Sequence, residues 1–182
     1  LTIHRIALPA VDVLDHYNSI VANNAYFVDY AEKLALTHTY DLIHMHEWLT
    51  GAAGMTLKHL WKTPLLATMH GTERGRHQGY LPSQTSQQIN QLEWEICFEA
   101  WRVIVCSDFM CEELQDYFAV PADKIDVIFN GVNLEQGNDC TPAELETLRQ
   151  RYAPHGERLL FFVGRIVHEK GVQILIRAMP RI

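Results

Sequence analysis

Residues Asp41–Gly71 read DLIHMHEWLTGAAGMTLKHLWKTPLLATMHG. Two brief apolar runs, Leu42–Met45 and Leu65–Met69, flank a longer amphipathic run at Gly51–Leu60. Brief runs rich in Ile, Leu and Met have strand length, and the run between them has helix length. Strand, helix and strand in this order predict two parallel strands joined by a helical crossover.

The alternation continues on both sides. Further strands are predicted at Thr2–Ala7, Val103–Cys106, Ile125–Phe129 and Leu159–Val163. Helices are predicted at Val21–Leu36 and at Gln84–Ala100, where Ile89, Leu92 and Ile96 recur at helical spacing. Ser107 reads as the N-cap of a helix carrying Met110, Leu114 and Phe118. Thr141-Pro142-Ala143-Glu144 combines an N-cap Thr, a Pro in the first turn and a Glu that closes a capping box. The fold class is therefore α/β: a Rossmann-like parallel sheet, its strands buried on both faces and helices covering both.

Around Gly131 to Asp139 the sequence turns polar, within NGVNLEQGND, which reads as the exit from a first domain. The expected domains are 1–140 and 141–182, the second holding one strand and the start of one helix. So little structure cannot bury a core alone.

Composition narrows the function classes. A net charge of −7 disfavours non-specific binding to nucleic acid or anionic membranes. No apolar run has the length of a bilayer span, and LTIHRIALP lacks the basic-then-apolar pattern of a secretory leader. Cys97, Cys106, Cys111 and Cys140 form no C-x-x-C pair, so free, buried thiols and a cytoplasmic location are expected.

In parallel α/β sheets ligands sit beyond the C-terminal strand ends. There the sequence places His46-Glu47-Trp48, then His70-Gly71-Thr72-Glu73 followed by Arg74, Gly75, Arg76 and His77, then Asn130-Gly131, and finally Gly164-Arg165. Each group also has a plain reading: His44 and His46 as hydrogen-bonded sheet residues, the glycine-rich segment as a surface loop, Arg165 and Lys170 as solvated cations. In FVGRIVHEKG, Phe162–Gly171, the two cations lie just before an expected helix start. Cations there oppose the helix dipole unless an anion sits between them, and a phosphate would use both side chains and the helix end.

GRIVHEKG resembles the start of the second domain of GT-B glycosyltransferases of family 4. DLIHMHEW resembles that family's first-domain strand and turn, VIFNGVN its interdomain segment, and HGTERGRHQGYLP the acceptor-side loop of members related to bacterial glycogen synthases. The four motifs stand in the family's order from Asp41 to Gly171. The resemblance implies two Rossmann-like domains and a retaining hexosyltransferase that moves a hexose, commonly glucose, from a nucleotide-diphosphate sugar to a saccharide or glucan acceptor. It implies no metal and no cofactor beyond the UDP- or ADP-sugar substrate. Gly164, Arg165 and Lys170 would hold the donor diphosphate, and Arg165 and Lys170 would neutralise the leaving group. His70 would approach the donor sugar. Glu47, where relatives often have Asp, would line the acceptor side with Arg76 and His77. The glycine-rich loop after the family's first strand and a later pair of Glu residues are not found in this sequence, so an incomplete first domain, the beginning of a second and an inactive fragment are expected.

Two other classes fit parts of the pattern. A metal-dependent hydrolase would gather His44, His46 and His70 with Glu47 and His77 around zinc, but leaves GRIVHEKG without a role. A non-enzymatic Rossmann-type binding module fits the fold alone.

Overall fold

The computed structural model describes residues 2–8, 15–133 and 140–181. The chain divides into two compact units, Leu1–Asn130 and Gly131–Ile182. The polar stretch expected to leave the first domain lies, from residue 134 to 139, outside the described residues.

The first unit holds a four-stranded parallel sheet: β1 (Ile43–His46), β2 (Leu65–Met69), β3 (Arg102–Val105) and β4 (Ile125–Val127), paired in that order. Helices α1 (His16–Ala35), α2 (Gly51–Trp61), α3 (Glu73–Arg76), α4 (Gln84–Glu99) and α5 (Asp108–Phe118) intervene. The helix expected from Val21 begins five residues earlier, at His16. Asp15 caps it, its side chain accepting the Asn18 N–H at 2.8 Å. Ser107 caps α5 as its sequence predicts, accepting from the Met110 N–H.

The register sorts the strand side chains. Ile43, Met45, Leu65, Ala67, Met69, Val103, Val105 and Ile125 share one face by their pairing. All but the half-buried Ile43 belong to the buried core, with Ile89, Leu92 and Ile96 of α4 and Met110, Leu114 and Phe118 of α5. The opposite face carries His44, His46, Leu66, Thr68, Arg102, Ile104 and Asp126. Polar pairs cross it: His44 to Thr68 at 2.7 Å, and Arg102 Nε to Asp126 at 2.7 Å. The expectation of strands buried on both faces is thus corrected. Consecutive parallel strands joined by right-handed crossovers send every crossover helix to the same side. Among the described residues α2, α4 and α5 pack on the apolar face.

The strands expected at Thr2–Ala7 and Leu159–Val163 are also corrected: among the described residues neither has a ladder partner. A strand exists through hydrogen bonds to a neighbour, and apolar content alone does not supply one. Ile3 is 71% exposed and Phe161 89% exposed.

In the second unit, α6 (Pro142–Tyr152) has the predicted capping box between Thr141 and Glu144. A short turn at His168–Lys170 leads to α7 (Val172–Ala178), with Gly171 in the left-handed region at φ 69° as its N-cap. Among the described residues of this unit only Ala153 is buried, as its small share of structure predicts. Of the four free thiols Cys97 is buried, Cys106 and Cys111 are half-buried and Cys140 is exposed, which narrows the expectation of buried thiols to Cys97.

One buried amide ties α1 to α2. Asn24 is 3% exposed. Its Nδ2 donates to the Ile20 carbonyl at 2.8 Å and the Leu49 carbonyl at 2.9 Å, and its Oδ1 accepts the Ala53 N–H at 2.8 Å. The Asn24→Ala variant strands that N–H, and a loss of about 1–3 kcal/mol is expected, read as a lower urea midpoint with an unchanged m-value.

Candidate functional site

The parallel sheet delivers the C-terminal ends of β1, β2 and β3 side by side. His46 closes β1, His70 follows β2 and Cys106 follows β3. His46 Nδ1 lies 3.1 Å from His70 Nε2, with the two rings stacked at 5.4 Å between centroids. The other nitrogen of His70, Nδ1, faces Cys106 Sγ at 3.4 Å. His70 is therefore held by both ring nitrogens. Cys106 escapes a sequence reading because it looks like the last apolar residue of a strand.

His44 points to the same open face of the sheet but bonds Thr68, and burial together with the His46 charge pulls its imidazole below the usual range. The plain reading of His44 as a hydrogen-bonded sheet residue holds. Among the described residues no three His, Cys, Asp or Glu side chains are grouped to hold a metal ion. The zinc reading of His44, His46 and His70 thus lacks its geometry.

Glu47 follows β1 with φ 61° and ψ 170°. That backbone region is essentially glycine's own, and a side chain there costs on the order of 1–3 kcal/mol unless its surroundings hold it. The surroundings do hold it. Its N–H donates to the Thr68 carbonyl at 3.0 Å. Its Oε1 accepts the His70 backbone N–H at 2.5 Å, and its Oε2 accepts from Arg76 Nη2 at 3.1 Å. Two predicted acceptor-side residues, Glu47 and Arg76, thus meet each other and the backbone of His70. His77, the third, turns to Glu73 at 3.1 Å on the exposed side of α3.

Two buried carboxylates carry α3 and its approach. Glu93 of α4 is fully buried, and its two oxygens accept the Glu73 N–H at 3.0 and 2.9 Å. Glu113 of α5 accepts from Thr72 Oγ1 at 3.0 Å, while Thr72 Oγ1 accepts the Gly75 N–H at 2.8 Å. A Cβ at Gly75 would lie 1.9 Å from Glu113 Oε1, so glycine is what lets the carboxylate approach. Glu93 and Glu113 were absent from the sequence-derived site. The signal was there: each is a charge inside an apolar helical stripe, Glu93 among Ile89, Leu92 and Ile96, Glu113 beside Met110 and Leu114.

Burial raises the Glu93 carboxyl from 4.5 to about 8, against the pull of the Glu73 N–H and Arg76. Burial raises Glu113 too, against the Thr72 hydroxyl and Arg76.

The remaining predicted residues belong to the second unit. Arg165 Nη2 and Lys170 Nζ converge on one oxygen, Glu169 Oε1, at 3.2 and 3.7 Å. The cations are thus paired with a carboxylate in place of an open gap, and both remain half-exposed or more. Gly164 has φ 157°, a backbone angle that residues with a side chain rarely adopt, and a Cβ there would lie 3.2 Å from the Phe162 ring.

Comparison with known proteins completes the description. The sequence model of Glycosyltransferase Family 4 matches residues 8–136. An uncharacterized glycosyltransferase of Methanocaldococcus jannaschii is 37% identical over 145 residues, covering 79% of this chain and 37% of that protein. A glycogen synthase of Mycobacterium tuberculosis is 32% identical over 142 residues, covering 78% of this chain and 32% of that protein. A D-inositol 3-phosphate glycosyltransferase of Thermobifida fusca is 31% identical over 155 residues, covering 84% and 35%. The matches thus span about a third of these relatives' length. Among solved structures, a sucrose-phosphate synthase from Thermosynechococcus elongatus matches with a TM-score of 0.73 at 24% identity, covering 98% of this chain and 43% of that one, a likeness of fold.

Two predictions follow from the buried carboxylates. Glu93 has a folded value above its unfolded one, so the folded chain holds a proton there that the unfolded chain releases. Its contribution is full below the unfolded value and is lost as pH rises toward about 8. Unfolding free energies from urea titrations across that window for wild type and Glu93→Gln should diverge in favour of the variant, by on the order of 1–3 kcal/mol at the alkaline end. Gly75→Ala should cost roughly 1–3 kcal/mol through overpacking against Glu113, and Glu113→Ala in the same chain should recover part of it.

Proposed function

The chain belongs to Glycosyltransferase Family 4, and on that premise we propose that it serves the transfer of a hexose from a nucleotide-diphosphate sugar to a saccharide acceptor, with retention of configuration. The observation that carries this reading is the convergence of Arg165 and Lys170 on a single carboxylate oxygen. Two cations that can share one oxygen can share a diphosphate oxygen, with Glu169 the internal anion that keeps them oriented when none is bound.

Breaking the bond between sugar and diphosphate builds positive charge on the sugar and negative charge on the leaving group. Fixed cations aimed at the diphosphate favour that state over the ground state. His70, fixed by His46 and Cys106, is the first-unit group assigned to the donor sugar. Glu47 and Arg76 belong to the acceptor side, with Glu47's carboxylate already engaged on two sides. The leaving phosphate takes the acceptor proton in this reading, so no enzyme base is required. Glucose as the sugar, UDP or ADP as its carrier and a glucan as acceptor are the specific assignments, supported by the likeness of His70–Pro82 to the loop of glycogen-synthase relatives.

The reading includes domains at 1–140 and 141–182, acceptor-side and donor-side, and an inactive isolated chain. Calorimetric titration with UDP-glucose and ADP-glucose tests the clamp: Arg165→Ala with Lys170→Ala should weaken binding at least tenfold, and equal affinity in wild type and double variant rules the clamp out. Incubation of the 182-residue chain with either nucleotide sugar and a linear glucan should give no transfer, and radiolabelled product would refute the inactive-chain reading.

A further inference from the structure

We propose that Glu93 and Arg76 are positioning residues for His70, acting through Glu47. The inference rests on the reading of His70 as the residue that meets the donor sugar. Four links carry it. Glu93, fully buried, binds the first N–H of α3 with both oxygens, which sets where that turn begins. The turn carries Arg76, whose guanidinium stands among three carboxyl groups: Nη2 on Glu47 at 3.1 Å, and Nη1 near Glu73 at 3.7 Å and Glu93 at 3.8 Å. A planar fork can address several oxygens at fixed angles, which a point charge cannot. Arg76 in turn fixes Glu47, whose other oxygen holds the His70 backbone N–H at 2.5 Å.

The backbone of Glu47 shows that this hold is under tension. A side chain at φ 61°, ψ 170° stays there only while something else determines its position. With the guanidinium gone, Glu47 is free to relax toward an ordinary conformation, and the bond to His70 loosens with it. His46 and Cys106 hold the imidazole of His70, whereas this relay holds its main chain, so ring direction and ring location have separate supports. Space is set by the same groups: a Cβ at Gly71 would lie 3.3 Å from Arg76 Nη2.

The test uses amide proton spectra of the whole chain, a readout independent of sugar transfer. A short N–H bond to a carboxylate shifts its proton downfield and slows its exchange. In Arg76→Ala and in Glu93→Leu the His70 amide proton should move upfield and exchange about tenfold faster or more, while Ile96 and Val105 keep their protection. Glu93→Gln, measured below the pH at which Glu93 ionises, keeps the shape and the acceptor and should restore the His70 signature. An unchanged His70 amide in Arg76→Ala overturns the proposal, and that variant decides alone if Glu93→Leu fails to fold. Equal loss in Glu93→Gln and Glu93→Leu, spread along α4, marks a packing role and overturns it too. Loss of donor binding by His70→Ala is a separate measurement, so failure of the transferase reading is told apart from failure of the relay.

Discussion

The Glu93 carboxyl is buried beneath α3, the turn that follows β2. An ionisable group in that place costs free energy by desolvation, and it stays because the first backbone N–H of α3 and the Arg76 guanidinium face it. From that point the first unit can be traced outward. The turn of α3 presents Arg76, Arg76 holds Glu47, and Glu47 holds the main chain at the end of β2. The parallel register does the rest by setting His46, His70 and Cys106 at neighbouring strand ends. Sheet geometry chooses which residues meet, and a buried acid chooses how firmly.

Much of the first unit was legible in its sequence because local chemistry and tertiary packing agree there. The run Leu65–Met69 is a strand with the boundaries its apolar letters suggest, and Ser107 caps the helix it precedes, as Thr141 does in the second unit. Where only one of the two was present, the reading failed. Leu159–Val163 has strand composition but no neighbour to bond among the described residues. The start of α1 has a cap at Asp15 but a polar and aromatic first turn, so periodicity detected it late.

The candidate site was legible in part for a related reason. Residues with unusual chemistry at strand ends, such as His70 and Glu47, stand out in a linear text. Their supports do not. Glu93 and Glu113 sit further along the chain, on α4 and α5, and are recognisable only as charges inside apolar stripes, a pattern that reads as an error until the buried N–H and hydroxyl partners are known. Cys106 is hidden for the opposite reason, since a thiol at the end of Val103–Cys106 matches its apolar neighbours. The two cations at Arg165 and Lys170 were visible, but Glu169 between them was not read as their partner.

The sheet's two unlike faces have a consequence for handling the protein. Its outer strands, β1 and β4, are short, four and three residues by their bounds. Short edges give a second chain little to template on. The opposite face adds polar side chains beside them, His44 and His46 on β1 and the Arg102–Asp126 ion pair across β3 and β4. Exposed apolar side chains nevertheless flank these strands, Leu42 before β1 and Ile128 and Phe129 after β4, besides the Trp94–Phe98 stack on the outside of α4 and Trp101 beyond it. Self-association at high concentration would thus draw on apolar side chains beside the sheet edges as well as on the outside of α4, while the short edges limit strand-to-strand pairing.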